Sequence, residues 1–272
     1  MLILPLITPL LKPGSNLAEA ISGHLEPGDI VVVSSKAVST VEGNFVDLSS
    51  LTVSGEALSL AKKTGRSPLF MQAVLEELGR LNGKILNAVP GAVLTEVKPD
   101  GFPEGTILTA NAGLDESNAP RGFAVGWPKE PVTSVQKLRK ELIAAIRTRK
   151  TQKTQTTQKK NSFVSFSSFS SSVAVVLTDS CCHPRRLGVT AFALAVAGLD
   201  PHSSQKGEKD LFGKPLGITV EAVADQLATA ANAVMGNAEQ SVPAAIIREH
   251  GIPPSSFCGW APGIESEKDL FD

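Results

Sequence analysis

Any fold for this chain must bury Val173–Leu177 and still give Thr178, Asp179 and Ser180 polar partners. Five consecutive apolar residues, three of them valine, read as a strand covered on both faces. Three oxygen-bearing side chains end the run. A carboxylate at the mouth of a buried strand, close to Arg185 and Arg186, is costly unless a cation or a substrate shares it. Asp179 is therefore a candidate site residue. The next apolar stretch, Val189–Ala197, closes at Gly198.

At 272 residues and 42% apolar content, the chain can build a real core as one large domain or two modest ones. A net charge of −1 gives no argument for nucleic acid or for an acidic partner. Cys181, Cys182 and Cys258 are an odd set with two adjacent members. That is a poor disulfide framework and predicts a reducing compartment. Met1–Leu11 is apolar but interrupted by Pro5 and Pro9, lacks a basic leader pattern and is too short to span a membrane. A strand or extended arm is expected there, in a cytoplasmic protein.

Along the chain, Asn16 can cap a short helix over Leu17–Leu25. Ile30–Val33 reads as a strand that delivers Ser34, Ser35 and Lys36 into a loop. Ser54 starts a helix through Lys63. Ser67 and Pro68 start another, with Leu69, Phe70, Ala73, Val74, Leu75 and Leu78 inward. Short β-type runs fill residues 84–110. Ile107–Ala110 then leads into Asn111-Ala112-Gly113-Leu114-Asp115-Glu116-Ser117-Asn118. That composition suits a turn, and it also suits an oxygen-liganded cation.

Ser134 is expected to cap a basic helix with Val135, Leu138, Leu142, Ile143 and Ile146 inward. Residues 147–160 are rich in Arg, Lys, Thr and Gln, and 162–172 are almost only Ser and Phe. Their low complexity predicts a flexible insert near 148–172. Thr219 is expected to open a helix to about Met235, with Val220, Val223, Leu227, Ala231 and Val234 inward. Glu221 and Asp225 would then be a solvated i,i+4 pair. Gly236 stops the helix, and Val242–Arg248 includes a short strand.

The chain has no P-loop, no G-x-G-x-x-G, no H-E-x-x-H and no G-x-S-x-G. Cys181-Cys182-His183 lacks the second cysteine pair of a structural zinc site, and no partner base marks a catalytic cysteine. What remains are four loops: Ser35-Lys36, Asn111–Asn118, Thr178–Arg186 and Gly236–Ser241. They offer Asp115, Asp179 and Glu239 with several hydroxyls, a set suited to Mg²⁺ or Mn²⁺ bridging a substrate phosphate. Lys36, Arg185 and Arg186 could neutralise the phosphates themselves. The chemistry alone points to a metal-dependent enzyme that handles phosphate.

The order of these motifs resembles the F420-0:γ-glutamyl ligase family, which adds glutamate to a deazaflavin coenzyme. The resemblance rests on Pro9–Gly14, Ser35–Gly43, the Asn111–Asn118 block, Thr178-Asp179-Ser180, Arg186 and Gly188. Ala193–Gly198, Leu211-Phe212-Gly213 and Ala222–Gly236 continue it, and residues near 148–172 fall outside it.

The resemblance implies a mixed α/β (α+β) fold that is neither Rossmann nor P-loop, in one domain with two lobes (about 1–147 and 173–272). It implies a homodimer, GTP as energy source, Mg²⁺ or Mn²⁺, and K⁺ as an assisting ion. The substrates would be the deazaflavin precursor and L-glutamate, joined through an acyl phosphate. Asp115, Asp179, Ser180 and Asn237 match metal positions, and Asp179 and Arg186 match catalytic ones.

Pro9, Leu10, Leu11, Ser35, Lys36, Thr40, Asn118 and the loop Met235, Gly236, Asn237, Ala238, Glu239, Gln240, Ser241 and Val242 match guanine-nucleotide contacts. Thr40 stands where relatives commonly carry lysine, and Asn237 where some carry glutamate. Cys182–Arg186 replaces a Gly-Arg-x-aromatic-Arg run and keeps only its final arginine. Two alternatives follow from these departures: a related amide ligase with a different carboxylate acceptor, or a non-catalytic GTP-binding protein.

Overall fold

The computed structural model describes residues 1–157 and 172–271. Its first half runs β1 (Leu2–Leu6), α1 (Leu17–Ser22), β2 (Ile30–Ser34), α2 (Ser35–Glu42), β3 (Phe45–Asp47), α3 (Gly55–Thr64) and α4 (Pro68–Arg80). Three short strands follow, β4 (Lys84–Val89), β5 (Ala92–Val97) and β6 (Ile107–Ala110), then β7 (Phe123–Val125) and α5 (Pro131–Thr157). The second half is β8 (Ala174–Cys181), β9 (Thr190–Ala197), β10 (Ser203–Ser204), β11 (Val220–Glu221), α6 (Val223–Met235), β12 (Ala244–Arg248) and β13 (Cys258–Trp260).

The organising element is a six-stranded sheet of order β1-β12-β2-β8-β9-β13. Neighbours are antiparallel except β2 and β8, which pair in parallel from Ile30 with Ala174 to Ser34 with Thr178. Strands from both halves of the chain therefore share one sheet. β2 shows why its sequence is apolar throughout. Val31 and Val33 pack into a core beneath α1 and α5, while Ile30 and Val32 pack into a second core against α6. A strand covered on both faces has no place for alternating polar residues. β8 obeys the same rule, with Val175 and Leu177 on one side and Ala174 and Val176 on the other.

Because β2 and β8 run in parallel, their carboxyl ends open on the same edge. That edge carries Ser34–Lys36 and Asp179–Ser180. A separate antiparallel meander, β4-β5-β6, carries the Asn111–Asn118 loop from the end of β6. A small β3–β7 pair anchors the far side of that loop, since Asp115 and Val125 exchange two backbone hydrogen bonds of 2.9 and 2.8 Å. Among the described residues, no helix is long and apolar enough to cross a membrane.

Several local expectations hold. Asn16 accepts from the Glu19 N–H, Ser54 accepts from the Ala57 N–H, and Pro68 occupies the first turn of α4. Others need correction. Ser35 and Lys36 are not in a loop but open α2. Ser134 is not a cap: α5 starts at Pro131, and the Ser134 hydroxyl instead donates to Glu42 at 2.6 Å.

α6 begins at Val223, because Val220 and Glu221 are drawn into β11 against β10. Val220 is consequently 47% exposed rather than inward. Asp225 is no solvated partner of Glu221 either. It accepts from the Ala193 N–H at 2.8 Å, at the β9 bulge where the register with β8 slips.

α5 also continues past Arg147, where a flexible insert was expected. Arg149 donates to the carbonyls of Gly23 and Leu25, tying the helix to the exit of α1. Residues 158–171, which include all of the Ser- and Phe-rich run but Ser172, lie outside the described residues.

Candidate functional site

A cavity of about 360 Å³ sits on the sheet edge where β2 and β8 end. Four segments and Asn118 wall it: Thr8–Leu11, the start of α2, Thr178–Ser180 at the end of β8, and the end of α6 with the loop that follows. Backbone bonds hold the segments together. The Thr8 N–H donates to the Ser241 carbonyl at 3.0 Å, and the Ser34 N–H donates to Pro243 at 2.9 Å.

α2 enters the cavity by its N-terminus. Ser34, its N-cap residue, makes no side-chain cap bond. The first-turn N–H groups of a helix have no intrahelical partners, and its dipole favours an anion there. Lys36 adds a full positive charge on the same turn.

The loop after α6 is held by its own chemistry. Gly236 turns at φ +70°, and a Cβ there would stand 2.7 Å from the Gln240 side chain. The Gln240 amide oxygen in turn accepts from the Ala238 N–H at 2.8 Å. Asn118 and Ser241, which line the cavity, have positive φ without being glycine, and so do Asn111 and Ala112 in the turn that leads to Asp115. Such conformations cost of order 1–3 kcal/mol each and persist where the surroundings impose them. In the Asn111 turn those surroundings are visible. Asn111 accepts from the Val93 N–H at 3.0 Å, and the Ala112 N–H donates to Thr95 Oγ1 at 3.1 Å.

Two carboxylates meet Lys36, and their environments push them apart. Asp115 is ion-paired with Lys36 and accepts two bonds from Ser117, at 2.9 and 2.6 Å. Burial alone would raise its pKa, but the bonds from Lys36 and Ser117 more than offset this and hold it below the usual carboxylate range. Asp179 goes the other way. Burial raises its pKa, and the charge of Asp115 adds to that, against the pull of Lys36, Trp127 and the Ser180 N–H. A cation shared between the two would relieve both the burial and the repulsion.

Among the described residues, no three His, Cys, Asp or Glu side chains form a metal cage. The donor set still fits a divalent ion. Mg²⁺ typically takes one or two carboxylates and leaves other positions to water and substrate phosphates. Asp179, the Ser180 hydroxyl and Asn237 line the cavity and are donors of that type, and Asp115 is paired with Lys36 beside them.

Known proteins resemble this chain along most of its length. The family model described as F420-0:Gamma-glutamyl ligase matches residues 5–151 and 166–249. A coenzyme F420:L-glutamate ligase of Methanocaldococcus jannaschii is 35% identical over 99% of this chain and 96% of its own length. The chain belongs to the F420-0:gamma-glutamyl ligase family. It is accordingly a ligase. Coenzyme F420:L-glutamate ligases of Methanopyrus kandleri and Methanothermobacter thermautotrophicus are 33% and 34% identical, over 90% and 88% of the chain and 84% and 85% of their own lengths. The two matched segments of the family model leave out residues 152–165, inside the stretch expected to be an insert.

Of the residues named from the family resemblance, the fold brings most to one cavity. Pro9, Leu10, Leu11, Lys36, Asn118, Asp179, Ser180, Met235, Gly236, Asn237, Ala238, Glu239, Ser241 and Val242 line it. Five do not. Ser35 is fully buried beneath the cavity floor, its hydroxyl without a hydrogen-bond partner. Thr40 lies one helical turn beyond Lys36 on α2. Asp115 reaches the site only through its pairing with Lys36. Gln240 supports the loop from behind. Arg186 lies on an exposed turn, its N–H bonded to the His183 carbonyl, and does not reach the cavity.

Sequence reasoning missed Thr8 and Asn232, which line the cavity, and Trp127, which donates to Asp179 at 2.6 Å. A lone tryptophan between Gly126 and Pro128 carries no periodic or motif signal. Only the turn of the chain after β7 brings it beneath β8.

Proposed function

We propose that this ligase joins the amino group of L-glutamate to the carboxylate of a coenzyme F420 precursor (F420-0), with GTP as the phosphoryl donor. The observation that carries the reading is the single cavity into which Lys36, the N-terminus of α2 and Asp179 all face. That combination suits a polyphosphate and its counter-ion.

In the first step, the acceptor carboxylate oxygen attacks the terminal phosphorus of GTP, an acyl phosphate forms, and GDP leaves. In the second, the neutral amine of glutamate attacks the acyl carbon. The amide C–N bond forms, the C–O bond to phosphate breaks, and the amine proton passes to solvent. Lys36 and the first-turn N–H groups of α2 stabilise charge on the phosphates, and the loop 236–241 closes the opposite wall. Asp115, Asp179 and Ser180, with Asn237 from that wall, would hold Mg²⁺ or Mn²⁺. When bound, the ion neutralises charge on the transferring phosphoryl group. K⁺ belongs to the same reading as an assisting ion.

The reading includes the cytoplasm as compartment and a homodimer as assembly. Leu211 and Phe212 stand fully exposed on the arm between β10 and β11, apolar surface that a second copy would cover. The central test is turnover. Purified protein with GTP and Mn²⁺ should release GDP only when both the precursor and glutamate are present, and Asp179→Asn should abolish that release. Full turnover by Asp179→Asn would overturn the role of Asp179. GDP release with another carboxylate but not with F420-0 would replace the acceptor.

A further inference from the structure

We propose that Trp127 is a positioning residue for Asp179: its indole N–H sets the orientation in which that carboxylate meets a divalent ion. The inference rests on the metal reading above and adds a residue outside the cavity lining. Each oxygen of Asp179 already accepts one hydrogen bond. Oδ2 accepts from Trp127 Nε1 at 2.6 Å, and Oδ1 accepts from the Ser180 N–H at 2.9 Å. A carboxylate offers about four lone-pair sites, so a free pair remains on each oxygen. With the carboxylate plane fixed, those pairs have a defined direction, and Asp179 itself lines the cavity.

The indole can impose this orientation because it is itself buried and packed. Trp127 is 3% exposed. Phe192, directly opposite Asp179 in the β8–β9 register, packs edge-on against it with ring centroids 6.3 Å apart. Gly113 lies against its other side, where a Cβ would stand 2.6 Å from Nε1 and Cε2. Gly113 sits in the same block as Asp115, and Asp115 is locked to Val125, two residues before Trp127. One short segment therefore orients both carboxylates: Asp115 through the backbone and Asp179 through the indole. Groups that hold a metal ligand in place this way typically contribute about 10–100-fold to metal affinity.

The test measures Mn²⁺ binding by electron paramagnetic resonance, in the presence of GDP, on four proteins. They are the unaltered chain, Asp179→Asn, Trp127→Phe, and a chain with 3-benzothienylalanine at position 127, which keeps the bicyclic shape but replaces N–H by sulfur. Thermal midpoint and metal-free GDP affinity are read alongside, because a merely structural loss would move them. The expected result is Mn²⁺ affinity weakened about 10–100-fold in both position-127 proteins, with GDP affinity and thermal midpoint retained in the benzothienyl protein. If Asp179→Asn weakens Mn²⁺ binding but the benzothienyl protein binds within twofold of the unaltered chain, the positioning role is overturned and the metal reading stands. If Asp179→Asn binds Mn²⁺ as the unaltered chain does, the metal reading falls and takes this proposal with it.

Discussion

Replacing Gly113 by alanine tests how tightly the site is built. The residue sits at φ +77°, and a Cβ there would come within 2.6 Å of the Trp127 ring. Two costs follow. An L-residue held in the left-handed region loses about 1–2 kcal/mol. Forcing an extra carbon into a packed interior costs a further 1–3 kcal/mol or so. The sum is about 2–5 kcal/mol. The matched control is Gly91→Ala, at φ +94° with nothing within 4 Å of the added carbon. It carries the backbone cost alone.

Urea unfolding followed by far-ultraviolet circular dichroism, with both variants analysed at a common m-value, gives the difference directly. Gly113→Ala should be less stable than Gly91→Ala by about 1–3 kcal/mol, the overpacking cost. Mn²⁺ affinity should fall in Gly113→Ala and not in Gly91→Ala, since the displaced indole carries the bond to Asp179. Equal stability of the two variants would refute the reasoning, because it would mean that Trp127 yields freely.

Lys36→Met removes the cation that faces both Asp115 and Asp179; GTP-dependent turnover should fall about 10²–10³-fold, measured as GDP release at saturating glutamate. Arg248→Met strips the guanidinium from Asp29, which is 1% exposed and receives two of its bonds at 2.8 Å. An uncompensated buried carboxylate should cost about 3–5 kcal/mol in urea unfolding, and the added substitution Asp29→Asn should recover part of it.

Two carboxylates predict opposite pH dependence of stability. Glu96 is held below its ordinary pKa by its bond from Lys84, with Thr106 adding to it. Its contribution is present above the unfolded value of about 4.3 and is lost as pH falls through the folded value, so Glu96→Gln should flatten the acid limb. Burial raises Asp225, with the Ala193 N–H and the charges of His202 and His183 opposing. The native state then holds its proton more tightly, and stability falls as pH rises from the unfolded value through the raised one. Asp225→Asn should remove that fall, read from thermal midpoints across the pH series.

Asp225 also shows where sequence periodicity stops being informative. Four residues after Glu221, it has the spacing of a solvated helical pair. The β10–β11 pairing pulls Glu221 out of the helix, and a bulge in β9 leaves the Ala193 N–H to be satisfied by the Asp225 carboxylate. Neither the strand pairing nor the bulge has a local signature. Ser134 fails as a cap for a related reason: its best partner, Glu42, is distant in sequence. The run after Arg147 reads as linker by composition, yet Arg149 finds the carbonyls at the end of α1 and the helix continues.

By itself, the sequence determined that Val173–Leu177 is buried on both faces, that Asp179 ends it as a costly carboxylate, and that the Asn111–Asn118 block suits either a turn or an oxygen-liganded cation. Composition, periodicity and motif order suffice for these, because each is a property of neighbouring residues. The family was legible too, since its motifs recur in order along most of the chain. The tertiary structure alone decided which of these loops form one cavity. It left Arg186 outside, put Ser35 beneath the floor and placed Gln240 behind the loop. It also brought Trp127 to Asp179, across 52 positions of sequence. The physical reason is the parallel pairing of β2 with β8, which places two strand ends on one edge, and the turn after β7, which swings an indole N–H beneath the carboxylate. Contacts of that kind depend on long-range register, and no window of sequence contains it.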